Sequence, residues 1–205
     1  AYSTLGWFDD PVLSTFIHFP DTELARIIFH ELAHQVVYVR GDSQFNESFA
    51  VAVEQEGVRR WLMSQGGWPA EMERKQWSTG QARRADFLDL LIRHRALLSD
   101  LYASAGSDAQ KRLEKLRQFQ RLRMDFAALK SRWGGFSGYD RFMAEGANNA
   151  LLASIAVYTD YLGGFAALIK KHQGDMPLFF AEVHALSLRE PAARAKILGA
   201  AVPIP

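Results

Sequence analysis

The chain has 205 residues, with 24 Lys and Arg against 23 Asp and Glu, a formal net charge of +1 and no cysteine. A charge this close to zero excludes binding to nucleic acid or to membranes through overall charge, and the missing thiol excludes disulfides, thiolate metal sites and cysteine nucleophiles. The length suits one domain with a full apolar core, and no apolar run reaches the ~20 residues that a membrane-spanning helix needs.

Residues 1–8 have strand character, carried by Tyr2, Thr4, Trp7 and Phe8. An ordinary edge strand fits these residues. Asp9-Asp10-Pro11 is a turn. Its carboxylates can cap a short helix from Val12 or hold a substrate amine. His18 lies in a connecting segment.

Pro20-Asp21-Thr22 predicts a helix start, with Asp21 or Thr22 as cap, and the helix runs to about Arg40. Ile27, Ile28, Phe29, Leu32, Val36 and Val37 are apolar on nearly all sides, which predicts a buried helix. It carries His30-Glu31-x-x-His34. Residues four apart share a helical face, so the two imidazoles can serve one metal ion. Glu31 follows His30 by about 100° and can hold a water and take its proton.

Gly41-Asp42-Ser43 predicts a turn, with Asp42 or Ser43 capping a second helix from about Gln44 to Gln65. An antiparallel pair brings the start of the second helix back along the first. Glu47 can then reach a metal near His34. Glu54, two turns further on and on the same face, stands at about the level of His30. Helix geometry leaves open which of the two carboxylates is the third ligand.

Pro69 to Ala105 predicts a long helical region, with a break at Ser78-Thr79-Gly80, and Ala109 to Trp133 returns as a second long helix. Phe87, Leu90, Leu91, His94, Leu97, Leu98 and Leu101 repeat at three and four and form the apolar stripe of this hairpin. His94 on that stripe reads as a core histidine. The basic residues of the second arm read as a solvated face, since acids interleave and no aromatic platform for bases accompanies them. Trp133 to Tyr139 is a glycine and aromatic loop. Asn148-Asn149 opens a helix through Tyr158, Gly163-Gly164 interrupts it, and Phe165 to His172 resumes. Gly174-Asp175 precedes a further helix, and Glu190-Pro191 opens the last one.

His30-Glu31-x-x-His34 followed by Asn46-Glu47-x-Phe49-Ala50 and Glu54 resembles the gluzincin metallopeptidases. The resemblance is close to the N-E-G-F-A segment of the aminopeptidase N family, where the Glu after Asn is the third zinc ligand and a further Glu recurs seven residues on. The run from His30 to Tyr38, the segment Asn46 to Ala50 and the opening Ala1 to Pro11 look more narrowly like a bacterial group of predicted aminopeptidases. Asn148-Asn149-Ala150 and Tyr158 look like the same group, so the likeness covers most of the chain.

This resemblance implies a mainly α metallopeptidase fold, with a short N-terminal strand segment and a long antiparallel hairpin. It implies one domain over 1–205, with a catalytic core at 1–66 and 136–205 and the hairpin at about 69–133. It implies one zinc ion per chain, held by His30, His34 and Glu47, with Glu54 and Asn46 supporting the ligands and Glu31 as general base. Tyr158, with Tyr139 and Tyr102 as rivals, is the donor to the developing oxyanion. The implied substrate is a peptide, paired in extended form with an edge strand beside the cleft as in gluzincins, which makes Gly6 and Trp7, with Asp9 and Asp10, the implied substrate contacts; the implied activity is that of an aminopeptidase. A zinc endopeptidase, or a zinc-stabilised helical domain that binds a protein without hydrolysis, is the alternative. The segment G-x-M-E-N, which binds the substrate amine in aminopeptidase N relatives, is absent. Members of the narrower group are longer and often start with a lipoprotein-like signal. That implies a C-terminal portion, or a mature chain lacking its start, of a bacterial cell-envelope or periplasmic protein, with the cytoplasm as the other location.

Overall fold

The computed structural model describes residues 18–145, 148–150, 152, 155 and 159–199. The expected strand at Tyr2–Phe8, and with it Gly6, Trp7, Asp9 and Asp10, lies outside them, as does Tyr158. The architecture is mainly α. Among the described residues the elements are α1 (Asp21–Val36), α2 (Ser43–Ser64), α3 (Gly67–Ala103), α4 (Asp108–Arg132), α5 (Asp140–Glu145), α6 (Leu162–Lys171), α7 (Met176–Ser187) and α8 (Pro191–Gly199). No helix among the described residues is long and apolar enough to cross a membrane. The described residues fall into two compact units, one with those up to Ser78 and from Thr159 on, the other with those from Thr79 to Ile155.

The first unit is built on the α1–α2 pair. α1 ends at Val36, four residues before the expected Arg40, and Val37 is extended with φ −143°. Two forces end it. Val-Val-Tyr-Val favours extended backbone. Asn46, one turn into α2, donates from Nδ2 to the Val39 carbonyl and accepts from the Val39 N–H at Oδ1, both at 2.8 Å. Asp42 caps α2 by accepting from the Phe45 N–H at 3.0 Å. The far end of α2 is closed by Arg74, whose Nη1 donates to the carbonyls of Leu62 and Gln65 at 2.9 and 3.0 Å.

α1 and α2 approach closely because Gly57 has no side chain. A Cβ there would stand 2.6 Å from the Phe29 ring. α1 is nevertheless buried on one side only: Ala33 is buried, while Ile28, Leu32 and Val36 are 38%, 48% and 47% exposed. The all-round burial that its apolar flanks predicted does not occur, because the face carrying those three residues has no packed neighbour among the described residues.

Phe45, Phe49, Phe165, Phe179, Val183 and Leu198 are fully buried and join α2, α6, α7 and α8 into one core. Phe165 packs edge-on to Phe45 with ring centroids 5.3 Å apart. Each such ring removed from water stabilises the fold by roughly 1.5–3 kcal/mol. Gly163-Gly164 does not interrupt a helix but lies inside α6. A Cβ on Gly164 would meet the Leu198 carbonyl oxygen at 2.4 Å, so the glycine lets α6 touch the backbone of α8.

Arg194 of α8, 5% exposed, reaches across to the α1–α2 turn. Its Nε and Nη2 donate to Asp42 Oδ2 at 3.0 and 2.7 Å, and its Nη1 donates to the carbonyls of Ser187 and Arg189. Arg194→Ala would leave a half-buried carboxylate without its cation. It is expected to destabilise the protein by about 3–5 kcal/mol, measured by denaturant unfolding.

The second unit is the hairpin. α3 runs through Ser78-Thr79-Gly80 without the expected break. Phe87, Leu90, Leu91 and Leu98 pack against Phe119, Leu122, Phe126 and Leu129 of α4. Leu97, assigned to the same stripe from its spacing, is instead 46% exposed. His94 is buried, with Nε2 2.9 Å from Asp125 Oδ2. Ser107 and Gln110 form a capping box that starts α4. The sequence reading grouped Tyr139, Phe142, Met143 and Leu152 with the metal-site helices; their side chains pack on the hairpin core. Tyr139 stacks on Phe87 with centroids 4.0 Å apart.

Candidate metal centre

α1 presents His30 and His34 on one face, and the antiparallel α2 brings Glu47 opposite them. The three residues offer ligand atoms that all lie within 4.8 Å of one another. Nε2 of His30 is 3.4 Å from Glu47 Oε2, and Nε2 of His34 is 3.8 Å from Glu47 Oε1. The two imidazole rings stand edge to face, 5.0 Å between centroids. Tetrahedral zinc with bonds of about 2.0–2.1 Å holds its ligand atoms about 3.3 Å apart, so this donor set fits such an ion with small side-chain adjustment. Two imidazole nitrogens and one carboxylate are also the borderline donors that zinc takes. His30 and Glu47 keep 19% and 26% of their side-chain surface exposed, so the centre is open to solvent on one side.

Glu54 stands behind His30. It is 1% exposed, and its Oε2 is 3.0 Å from His30 Nδ1. A carboxylate on Nδ1 fixes the ring and leaves Nε2 for a metal. Arg26, one turn before His30, lies with Nη1 3.4 Å from the same Oε2 and with Nε 2.9 Å from Glu23. Nδ1 of His34 is buried and has no hydrogen-bond partner among the described residues. Glu31 is half-buried, and its charge acts on His34.

The charges are coupled. Burial disfavours the protonated His30, but hydrogen bonds to Glu47 and Glu54 and their charges outweigh it, raising its pKa to about 9. The Glu47 carboxyl is held below the usual range, chiefly by its hydrogen bond with His30. Burial, with the neighbouring His30 charge, pushes His34 down. In the metal-free chain His30 therefore carries a proton at neutral pH, and a metal ligand must be neutral. Zinc affinity is expected to rise about tenfold per pH unit between about pH 6.5 and 9 and to flatten above. Competition with a chelator of known affinity across that range measures the slope. For the metal-free fold the sign is opposite. The protonated His30 stabilises it fully below about 6.5, and that contribution is lost as pH rises through about 9.

A family model described as "Putative aminopeptidase" matches residues 1–198. The chain belongs to this family. No curated protein and no solved structure matches it.

Among the residues that the resemblance to predicted aminopeptidases singled out, the structure brings together His30, Glu31, His34, Glu47 and Glu54. Asn46, expected beside Glu54 as a support of the ligands, instead spends its amide on Val39. It fixes the turn rather than a histidine, because the chain leaves α1 in extended form and exposes a backbone N–H and C=O to it. Tyr139 is stacked in the hairpin core, and the Tyr102 hydroxyl accepts from Asn149 Nδ2 at 2.7 Å. Two neighbours of the centre escaped the sequence reading. Arg26 precedes His30 by four residues, and Tyr38 follows His34 by four. The Tyr38 ring meets His34 edge to face at 6.4 Å and is 49% exposed. Helical spacing from the two histidines was the available signal for both.

Proposed function

We propose that the chain is a gluzincin-type zinc peptidase acting as an aminopeptidase, with His30, His34 and Glu47 as the ligands of one zinc ion. The observation that carries this reading is the convergence of three chemically matched donors, with a buried carboxylate on the far nitrogen of His30. Zinc bound there supplies a water of lowered pKa and polarises the scissile carbonyl.

The protein's own groups do the rest. Glu31 accepts the proton of the attacking water and returns it to the leaving amine. Glu54 holds the His30 ring, and Arg26 neutralises Glu54. Tyr158 donates a hydrogen bond to the oxyanion of the substrate as its carbonyl becomes tetrahedral. Membership of the family of putative aminopeptidases supports the class of reaction.

The test is a panel of aminoacyl-coumarins beside internally quenched peptides, with the zinc-loaded protein. Release of coumarin from free-amine substrates, lost on acetylating the amine, is the expected result. Cleavage confined to the quenched peptides makes the protein an endopeptidase. Loaded protein that cleaves neither class is no peptidase.

A further inference from the structure

Helix α4 carries a second apolar face that its neighbours leave uncovered. Its inner side packs in the hairpin core through Phe119, Leu122, Phe126 and Leu129. At 100° per residue, Leu113 and Met124 fall on the opposite side and Leu116 on the flank next to them, and they are 52%, 71% and 63% exposed. Ala109, Gln120 and Ala127 complete that face, and no acidic residue lies on it.

Arginines line both of its margins. Arg112 and Arg123 stand on one side, Arg117 and Arg121 on the other, and all four are exposed. The whole helix carries eight basic residues against three acidic ones. Asp125 is engaged with His94, and Glu114 pairs with Arg117, which leaves Arg112, Arg121 and Arg123 as the margin cations without an acid of this helix on them. Beside Leu116 lies a cavity of about 330 Å³, lined by Lys115, Leu116, Phe119, Gln120, Arg123 and Asn148. It has an apolar floor and a cationic rim, the pattern of an amphiphile with an anionic head.

We propose that this face of α4 docks on an anionic phospholipid surface. Leucine and methionine side chains enter the boundary between headgroups and acyl chains, while the flanking arginines reach up to the phosphates. The near-zero charge of the whole chain does not oppose this, because the attraction acts within a Debye length of the patch. A helical protein partner fits less well. Coiled-coil packing needs an unbroken apolar seam at alternating spacings of three and four. From Leu113 and Leu116 that seam would continue at Gln120 and Arg123. A second copy fits worse, since its arginine margins would face these.

The whole protein is sedimented with vesicles of phosphatidylcholine alone and with vesicles containing roughly 30% phosphatidylglycerol. At low salt the anionic vesicles are expected to bind at least about tenfold more protein, and added salt is expected to release it. Leu116→Glu with Met124→Glu, and separately Arg112→Gln with Arg121→Gln, are each expected to lower that binding at least about fivefold. All four side chains are exposed, so circular dichroism is expected to be unchanged. Equal binding to both vesicle types, no binding to the anionic ones, or variants that bind like the parent would overturn the proposal. So would capture of soluble poly-glutamate, lost in the arginine variant, without sedimentation on vesicles; the face would then belong to an acidic protein.

Discussion

Replacing Glu31 with glutamine is expected to leave the zinc content intact and to lower kcat by at least about a hundredfold. Glu31 is not among the three converging donors, so its removal costs no ligand. Glutamine keeps the length and one hydrogen-bonding oxygen, which preserves a position for water. It cannot accept a proton at neutral pH. The loss therefore falls on the chemical step rather than on binding, and KM is expected to stay within a few-fold of the parent. Metal analysis and steady-state kinetics on the same preparation separate the two effects. Turnover that survives within a few-fold would take Glu31 out of the proton path and leave a zinc site with another base.

The second large effect concerns the metal itself. The parent is expected to retain one zinc per chain after dialysis, and His30→Ala is expected to retain none. Nε2 of His30 lies nearest to Glu47, and its ring is also the one that Glu54 fixes. Removing it takes away a ligand and strands two carboxylates. Glu47→Gln is expected to weaken zinc strongly, because an amide oxygen brings no charge to the cation. Glu54→Gln is expected to keep zinc with roughly 10–100-fold lower affinity, the usual cost of losing a carboxylate behind a ligating histidine. Full retention in Glu47→Gln with loss in Glu54→Gln would exchange the roles of the two carboxylates. Retention in His30→Ala would mean that the ion sits elsewhere.

Local signals explain most of what could be read before the structure. The spacing of His30 and His34 and the cap at Asp42 act within one helical turn, and sequence shows such contacts directly. Periodicity placed Phe87, Leu90, Leu91 and Leu98 correctly inside the hairpin. What escaped depends on contacts distant along the chain or in another helix. The end of α1 is set by Asn46 from the next helix, not by a residue that follows Val36. Gly163-Gly164 looks like a break until Leu198 is seen to need the space. Ile28, Leu32 and Val36 show that an apolar residue does not report which neighbour, if any, lies over it. Within the centre, the two imidazoles were legible from spacing alone. The choice between Glu47 and Glu54 was not, because both lie on one helical face two turns apart.

Asp42 serves two masters, the start of α2 through one oxygen and Arg194 through the other, and Arg194 lies 152 residues further along the chain. The pairing of Asn46 with Val39 forms as soon as α2 does, whereas the second restraint on the same turn, the ion pair on Asp42, waits for α8. A chain cut short before Arg194 would keep His30, His34 and Glu47 but lose the cation that braces the turn between their helices.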